Sequence, residues 1–292
     1  MHRFFLHGNQ IKPHTEKVLA AGQVGLMNGW GVFSTLRAKD GVLFEFARHW
    51  ARIRKDASAI GVTLPCGESE LEERLQGLLD ANHAPDSTVR VVIVRNRGGM
   101  WEGDGISEES DLIAFSAPLK EWGESVSLGV QPHARYAACE FSGAKVLSWA
   151  MNLTWLDRAQ ARGFDEVLLL NEHGDVSECT SANVFAKFGQ DIITPPLSSG
   201  CLPGITRQLL LDTIAVEGYH AKEGTLTVHD LLRADAAFIT SSTRDVRAIR
   251  AIDGESVLQD PAFVASFHTA FNNYLDGYVK ANPRKTRSSV TA

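Results

Sequence analysis

Residues 141–156 read FSGAKVLSWAMNLTWL, a run in which Lys145 is the only charged side chain. Lysine in apolar surroundings loses hydration, which disfavours its ammonium form and lowers its pKa. An amine poised in that way attacks a carbonyl carbon and forms a Schiff base. The same run also suits a lysine whose stem packs while its head reaches water. The segment alone leaves both readings open. Only 10 of the 29 cations are lysines, so an isolated one is worth following outward.

The chain around it has 292 residues, enough for two domains or one large one. With 44% hydrophobic and 22% charged residues it has the composition of a folded protein, which excludes disorder over its length. The formal net charge of −6 gives no reason to expect nucleic acid or an acidic membrane as partner. Four cysteines, Cys66, Cys139, Cys179 and Cys201, stand too far apart for CxxC or metal-ligand spacing and read as reduced thiols. Met1 to Gln10 lacks the apolar core of a signal peptide, and runs such as Val167 to Leu170 are too short to span a bilayer. A cytoplasmic, soluble protein is expected.

Alternation and β-branched content predict strands at Gly31–Arg37, Val42–Phe46, 89–94, 111–116, 125–130, 166–170, 183–188, 236–240 and 246–249. His2 to Ile11 reads as a strand and turn. Apolar residues three and four apart predict helices at 48–60, 69–79, 147–162, 206–217 and 263–274. Ser69 with Glu72 has the form of a capping box. Ala117 to Gly123 (APLKEWG) is the candidate linker, and the polar, basic residues 282–292 read as a disordered tail. Neither GxGxxG nor GxxxxGK sits on a strand-to-helix turn, and no GxSxG occurs.

Three further stretches carry candidate chemistry. Glu178 ends GDVSE and precedes the small polar run Cys179-Thr180-Ser181-Ala182-Asn183, so it is either an ordinary turn carboxylate or one held for a ring N–H. Leu202-Pro203-Gly204-Ile205-Thr206-Arg207 opens an apolar helix whose first N–H groups suit a phosphate. Thr240-Ser241-Ser242-Thr243 follows a strand and offers hydroxyl donors, and Arg52 offers a guanidinium fork. Each also has a plain reading as a cap, a polar loop or a surface arginine.

Taken together, the order GVFSTLR (31–37), His49-x-x-Arg52, Lys145 before a helix, GFDEVLLL (163–170), SExxxxN (177–183), LPGITR (202–207) and TSST (240–243) resembles the fold-type IV enzymes dependent on pyridoxal 5'-phosphate (PLP). That class holds branched-chain aminotransferases, D-amino acid aminotransferases and aminodeoxychorismate lyase. The resemblance implies an α/β (α+β) fold in two domains. These are a small N-terminal α+β domain (1–118), a linker (119–123) and a larger cofactor-binding domain with a mixed sheet or barrel (124–292). It implies a Lys145 Schiff base with PLP, Glu178 on the pyridine nitrogen and Leu202 against the ring. Arg52, the Ile205 N–H, Thr206, Ser241 and Ser242 are then expected at the phosphate. Phe33 and Arg37 are expected near the substrate, in a homodimer whose subunits share sites.

The substrate markers of the class do not match. A YxR pair of branched-chain enzymes, aligned by eye, falls on Val91 and Ile93, and an RxH pair of D-amino acid enzymes on Met100 and Glu102. Ala150 stands where a tyrosine often follows the lysine. Arg95 and Arg97 are the cations left nearby and are expected to bind the substrate carboxylate. A transaminase moving an amino group from an apolar, branched-chain-like amino acid to a 2-oxo acid is the expected activity. A carbon–carbon lyase acting on aminodeoxychorismate, or a D-amino acid or amine transaminase on the same scaffold, is the alternative.

Overall fold

The computed structural model describes residues 1–104 and 106–284. The chain first lays down β1 (Phe4–His7), β2 (Gln10–Pro13), α1 (Val24–Asn28), β3 (Gly31–Lys39), β4 (Val42–Leu43), α2 (Phe46–Ala59), α3 (Glu68–Ala81), β5 (Ser87–Arg95) and β6 (Ser110–Ala117). Their strands form one antiparallel sheet in the order β2-β1-β6-β5-β3-β4. Period-two burial runs along β5 and β6, as expected when a sheet has two different faces. Val89, Val91 and Ile93 point into a core with Leu71, Leu75 and Leu78 of α3 and Trp50 and Ile53 of α2. The opposite face of β5 carries Thr88, Arg90 and Val92, and this face turns to the rest of the molecule.

The chain then continues through β7 (Ser125–Gln131), α4 (Ala150–Ala161), β8 (Glu166–Leu170), β9 (Val176–Cys179), β10 (Asn183–Phe188), β11 (Asp191–Thr194), α5 (Ile205–Asp212), β12 (His220–Glu223), α6 (Val228–Arg233), β13 (Ala236–Ser241), β14 (Asp245–Ile252), β15 (Glu255–Ser256) and α7 (Pro261–Ala281). These strands order as β12-β11-β10-β13-β14-β7-β8-β9, with β15 beside β14. Both parallel and antiparallel pairs occur. The sheet curls so that β9, at its end, lies beside β10, to which a tight turn joins it through the Cys179 N–H on the Ala182 carbonyl. Phe185, Phe238, Phe263, Phe267 and Phe271 pack α7 onto its outer side. Asp260 caps α7 through the Phe263 N–H, with Pro261 at the first helical position, which needs no N–H donor there.

The polypeptide passes between the two sheets through residues 118–124, which hold no helix or strand. The sheets are not packed independently. Phe44, from the stretch after β4, joins the aromatic core of α7. Arg37 of β3 pairs with Asp245 of β14, and the Tyr274 hydroxyl donates to Glu45 at 2.6 Å.

Several sequence expectations shift in position. The strand returning over Val42–Phe46 is only two residues long, because Glu45 takes a left-handed φ of 53° and Phe46 starts α2. The capping box on Ser69 does not form: Gly67 caps α3, and Ser69 already lies in its first turn. The helix expected from Leu147 starts at Ala150, since Val146 bridges Val32 and the Leu147 N–H goes to Gly31. The helix expected to reach Glu217 stops at Asp212. Of the tail read as disordered, Asn282 caps α7 and Arg284 pairs with Asp80; residues 285–292 lie outside the described residues.

Candidate active site

A cavity of about 490 Å³ opens between the two sheets. One wall comes from β3 and β5, through Phe33, Thr35 and Arg90, with Arg52 of α2 deeper in. The other comes from the segment around Lys145, from Glu178, and from the loops at 202–206 and 240–244.

Lys145 is strapped to this place by its backbone. Its N–H donates to Asp56 Oδ2 at 3.0 Å, and its carbonyl accepts from the Phe33 N–H at 3.0 Å. Both bonds aim the side chain inward, where Nζ stands 4.5 Å from the Phe33 ring centre and 5.8 Å from that of Trp149. Burial pulls the amine down from the ordinary lysine range to about 7. Charge repulsion from Arg52 and Arg90 is part of this lowering, and Glu178 and Asp56 work against it. Asp56 is itself raised by burial, opposed chiefly by the Lys145 N–H it accepts.

Glu178 lies on β9, not in a turn. Its Oε1 accepts from Arg135 Nε at 3.0 Å and its Oε2 from the Leu202 N–H at 3.0 Å. Arg135 also reaches Asn152, whose amide holds the Thr180 carbonyl. The carboxylate is therefore fixed from behind and keeps oxygen lone pairs for a donor in the cavity.

The opening of α5 is shaped by a close approach. Asn183 Nδ2 holds the Leu202 carbonyl at 3.0 Å, and a Cβ on Gly204 would come within 2.0 Å of Asn183 Oδ1. Only glycine fits, which joins the SExxxxN and LPGITR motifs into one corner. The first N–H groups of α5 emerge there without intrahelical acceptors. Beside them Thr206 Oγ1 and Arg52 Nε are buried and have no hydrogen-bond partner among the described residues. Burial brings Arg52 down to about 10. Orphaned donors of this kind are costly unless a ligand meets them, and a phosphate does so. The residues present thus fit PLP: an amine, a fixed carboxylate and a phosphate cradle around one cavity.

Ser241 and Ser242 line the same cavity, as do Leu202 and Ile205. The turn that carries them is tied by Thr240 Oγ1 to the Asp245 carbonyl at 2.7 Å. Arg37, expected near the substrate, pairs instead with Asp245 and does not line the cavity. It therefore braces this turn from outside. Arg95 and Arg97 are also placed away from it. Arg95 bonds the Gly61 and Arg97 carbonyls and lies over Trp30, and Arg97 pairs with Glu102 and Glu109 on the surface. Val91 and Ile93 sit in the core under β5 and Met100 is exposed, so none of these positions faces the cavity of this chain.

The cation that does face it is Arg90, between Val89 and Val91. Its guanidinium carbon lies 4.0 Å from the Phe33 ring centre and 5.9 Å from that of Trp149. It has no hydrogen-bond or ion-pair partner among the described residues. Strand alternation was the signal available for it: with Val89, Val91 and Ile93 in the core, Arg90 must face the other way. Arg135 and Asp56 carried no comparable signal. Trp122, inside the segment read as a linker, also lines the cavity, under the guanidinium of Arg244 and bonded to the Thr243 carbonyl.

The curled mixed sheet, the lysine and the cradle define a fold-type IV enzyme, and the chain belongs to the amino-transferase class IV family, whose pattern it matches across residues 31–252. The chain is accordingly a class IV aminotransferase, and PLP is the cofactor of that family. A D-alanine aminotransferase of Bacillus licheniformis is 31% identical, over 86% of this chain and 89% of its own. A putative branched-chain-amino-acid aminotransferase of Methanocaldococcus jannaschii is 28% identical, over 87% and 89%. In structure the chain is similar to a branched-chain aminotransferase of Thermoproteus uzoniensis with norvaline, with a TM-score of 0.85 at 24% identity, covering 96% and 98%.

Proposed function

We propose that this aminotransferase takes an apolar amino acid as donor and a 2-oxo acid as acceptor, binding the carboxylate of each through Arg90. The observation that carries this is an arginine with no hydrogen-bond or ion-pair partner among the described residues, in a cavity whose wall includes Phe33, Trp149, Met151 and Tyr136. Arginine matches a carboxylate in bidentate fashion, and the aromatic wall suits an aliphatic side chain.

PLP, held by Lys145, Glu178 and the Arg52–Thr206–Ser242 cradle, supplies the electron sink for this chemistry. The protein supplies position and protons. Lys145, whose amine is brought down to about 7 and so is largely free of its proton above that pH, would take the proton from the substrate Cα on Nζ and deliver it to the cofactor carbon that carries the amino group away. Glu178, fixed by Arg135, holds the proton on the ring nitrogen. Arg52, the Ile205 N–H, Thr206, Ser241 and Ser242 anchor the phosphate.

A homodimer closes the cavity in this reading. Leu26 and Met27 of α1, Met100 and Trp101, and Met151 and Leu153 of α4 are all exposed. They lie near one another, because Ser148 bonds the Asn28 and Gly29 carbonyls and Gly99 lies against Val24. Large apolar patches beside a cavity mouth mark protein contacts, and two-fold dimers are the commonest closed assembly. No described helix is long and apolar enough to cross a membrane; a cytoplasmic setting accords with four cysteines free of disulfides. We read the chain as a domain at 1–118, a linker at 119–123 and a domain at 124–292; the passage from one sheet to the other through residues 118–124 supports this reading.

A panel of amino donors against pyruvate and 2-oxoglutarate, read by oxo-acid release, tests the reading. L-leucine is expected to outrun D-alanine, since its side chain fills more of the aromatic wall. Preference for D-alanine overturns the donor assignment, and pyruvate release from aminodeoxychorismate without an acceptor replaces transfer by lyase chemistry.

A further inference from the structure

His49 is wholly buried beside the phosphate cradle, yet it does not line the cavity. Its two ring nitrogens face two serines. Nδ1 stands 2.8 Å from Ser34 Oγ and Nε2 stands 3.5 Å from Ser242 Oγ. Ser34 Oγ also accepts from Arg52 Nη2 at 3.1 Å. Arginine only donates, so the direction of that bond is settled. Burial first, then the charges of Arg52 and Lys145, hold the ring well below the usual histidine range, so it is neutral and carries one ring proton.

Two tautomers compete. With the proton on Nε2, Ser34 gives its hydroxyl proton to Nδ1, and Nε2–H points at Ser242 Oγ. Every group is then matched, and the Ser242 proton is free to point into the cavity. With the proton on Nδ1, Ser34 must accept twice, and its own proton has no other acceptor among the described residues. Ser242 would then turn its proton back to the ring. An unmatched buried donor makes this second arrangement the costlier one.

We propose that His49 is a positioning residue that fixes Ser242 as a hydrogen-bond donor to the phosphate of the cofactor, through a directed chain from Arg52 to Ser34 to His49 to Ser242. The inference rests on the cradle described above and assigns His49 a role at the phosphate without contact with it. The chain also links β3 and α2 of the first sheet to the turn after β13 in the second.

The test is binding, not turnover. Apoenzyme is titrated with PLP and with pyridoxal, which lacks the phosphate, and folding of each variant is checked by circular dichroism. His49→Leu and Ser242→Ala are each expected to raise the Kd for PLP about tenfold, the size of one hydrogen bond to a charged group. Pyridoxal binding should not change. The double variant should lose little beyond either single change, because both remove the same bond. Additive losses, or equal losses for pyridoxal, overturn the proposal. In the unsubstituted protein, ring ¹⁵N shifts should report the Nε2–H tautomer, and Nδ1–H overturns the proposal even where a variant fails to fold. A parent apoenzyme that binds pyridoxal as tightly as PLP overturns the cradle itself, and this inference with it.

Discussion

Arg135 donates from Nε to Glu178 Oε1 across 3.0 Å, so the carboxylate that faces the cavity is backed by a fixed positive charge. The pair is largely enclosed, with Leu202 N–H on the other carboxylate oxygen. This arrangement favours the ionised carboxylate and keeps it in one rotamer. A proton on the ring nitrogen of PLP then has a stable partner. In that setting Glu178→Gln should keep the cofactor bound but cut kcat/KM by about a hundredfold or more, since a neutral amide gives a weaker electrostatic hold. Arg135→Leu should act in the same direction, by about tenfold, with a lowered Tm from the partner left unpaired. Stopped-flow measurement of the half-reaction checks both; an unchanged rate in Glu178→Gln would show that another group holds the ring nitrogen.

The amine of Lys145 gives a prediction about the apoenzyme. Its pKa is lowered from 10.5 to about 7, chiefly by burial. Between those values the unfolded chain binds a proton that the folded chain does not, so stability rises with pH through that window. Below about pH 7 the folded state must carry the buried charge, and the full penalty is present. Urea midpoints of the apoenzyme and of Lys145→Met, compared at pH 6.5 and 9, isolate this residue because other groups cancel. The parent should gain on the variant as pH rises. A constant gap would mean that the amine is solvated as freely in the fold as out of it.

Gly204 leads to a steric prediction. A methyl there would meet Asn183 Oδ1, and the Asn183 bond to the Leu202 carbonyl would have to yield. Gly204→Ala should cost about 1–3 kcal/mol of stability and weaken PLP binding, because the amides at the start of α5 move with it. Adding Asn183→Ala should restore part of the stability by removing the clash. Thermal melts of the single and double variants decide it; a silent Gly204→Ala would mean that the corner is looser than its geometry.

These contacts show which features the chain of letters discloses. Lys145 stands out as the lone charge in its run; Glu178, Arg52 and the LPGITR turn each have a plain local reading, and their order points to a cofactor site through its resemblance to the fold-type IV enzymes. Arg90 was hidden for another reason. It lies inside the strand predicted over 89–94, where alternation puts it opposite Val89 and Val91, but which of the two faces is covered depends on α2 and α3 packing on one side of β5. Arg135 comes from the loop after β7 and meets Glu178 only because β7 and β8 are neighbours in the curled sheet. Strand β9 gives no period-two signal, since all four of its residues are buried. The apparent linker likewise gives no hint that Trp122 will turn back onto Thr243 and Arg244.

Arg90 carries the last prediction. Burial lowers its pKa, but a guanidinium stays charged at any working pH, and this one has rings rather than acids beside it. Such a charge is paired when an anion enters. Removing it should therefore strike substrates that bring a carboxylate and spare those that do not. Arg90→Leu should raise the KM for L-leucine and for 2-oxoglutarate, with a loss in kcat/KM of about 2–4 kcal/mol, or roughly thirty- to a thousandfold. The loss should fall mainly on KM if Arg90 binds ground and transition states alike. With 1-phenylethylamine as donor the variant should be no worse than the parent, since no carboxylate is lost. Arg95→Ala and Arg97→Ala, away from the cavity, should each change kcat/KM by less than threefold in this picture. Steady-state kinetics of the three variants with the three substrates make the comparison. Equal losses for the amine and the amino acid would show that Arg90 shapes the pocket through Phe33 and Trp149 rather than by binding the carboxylate.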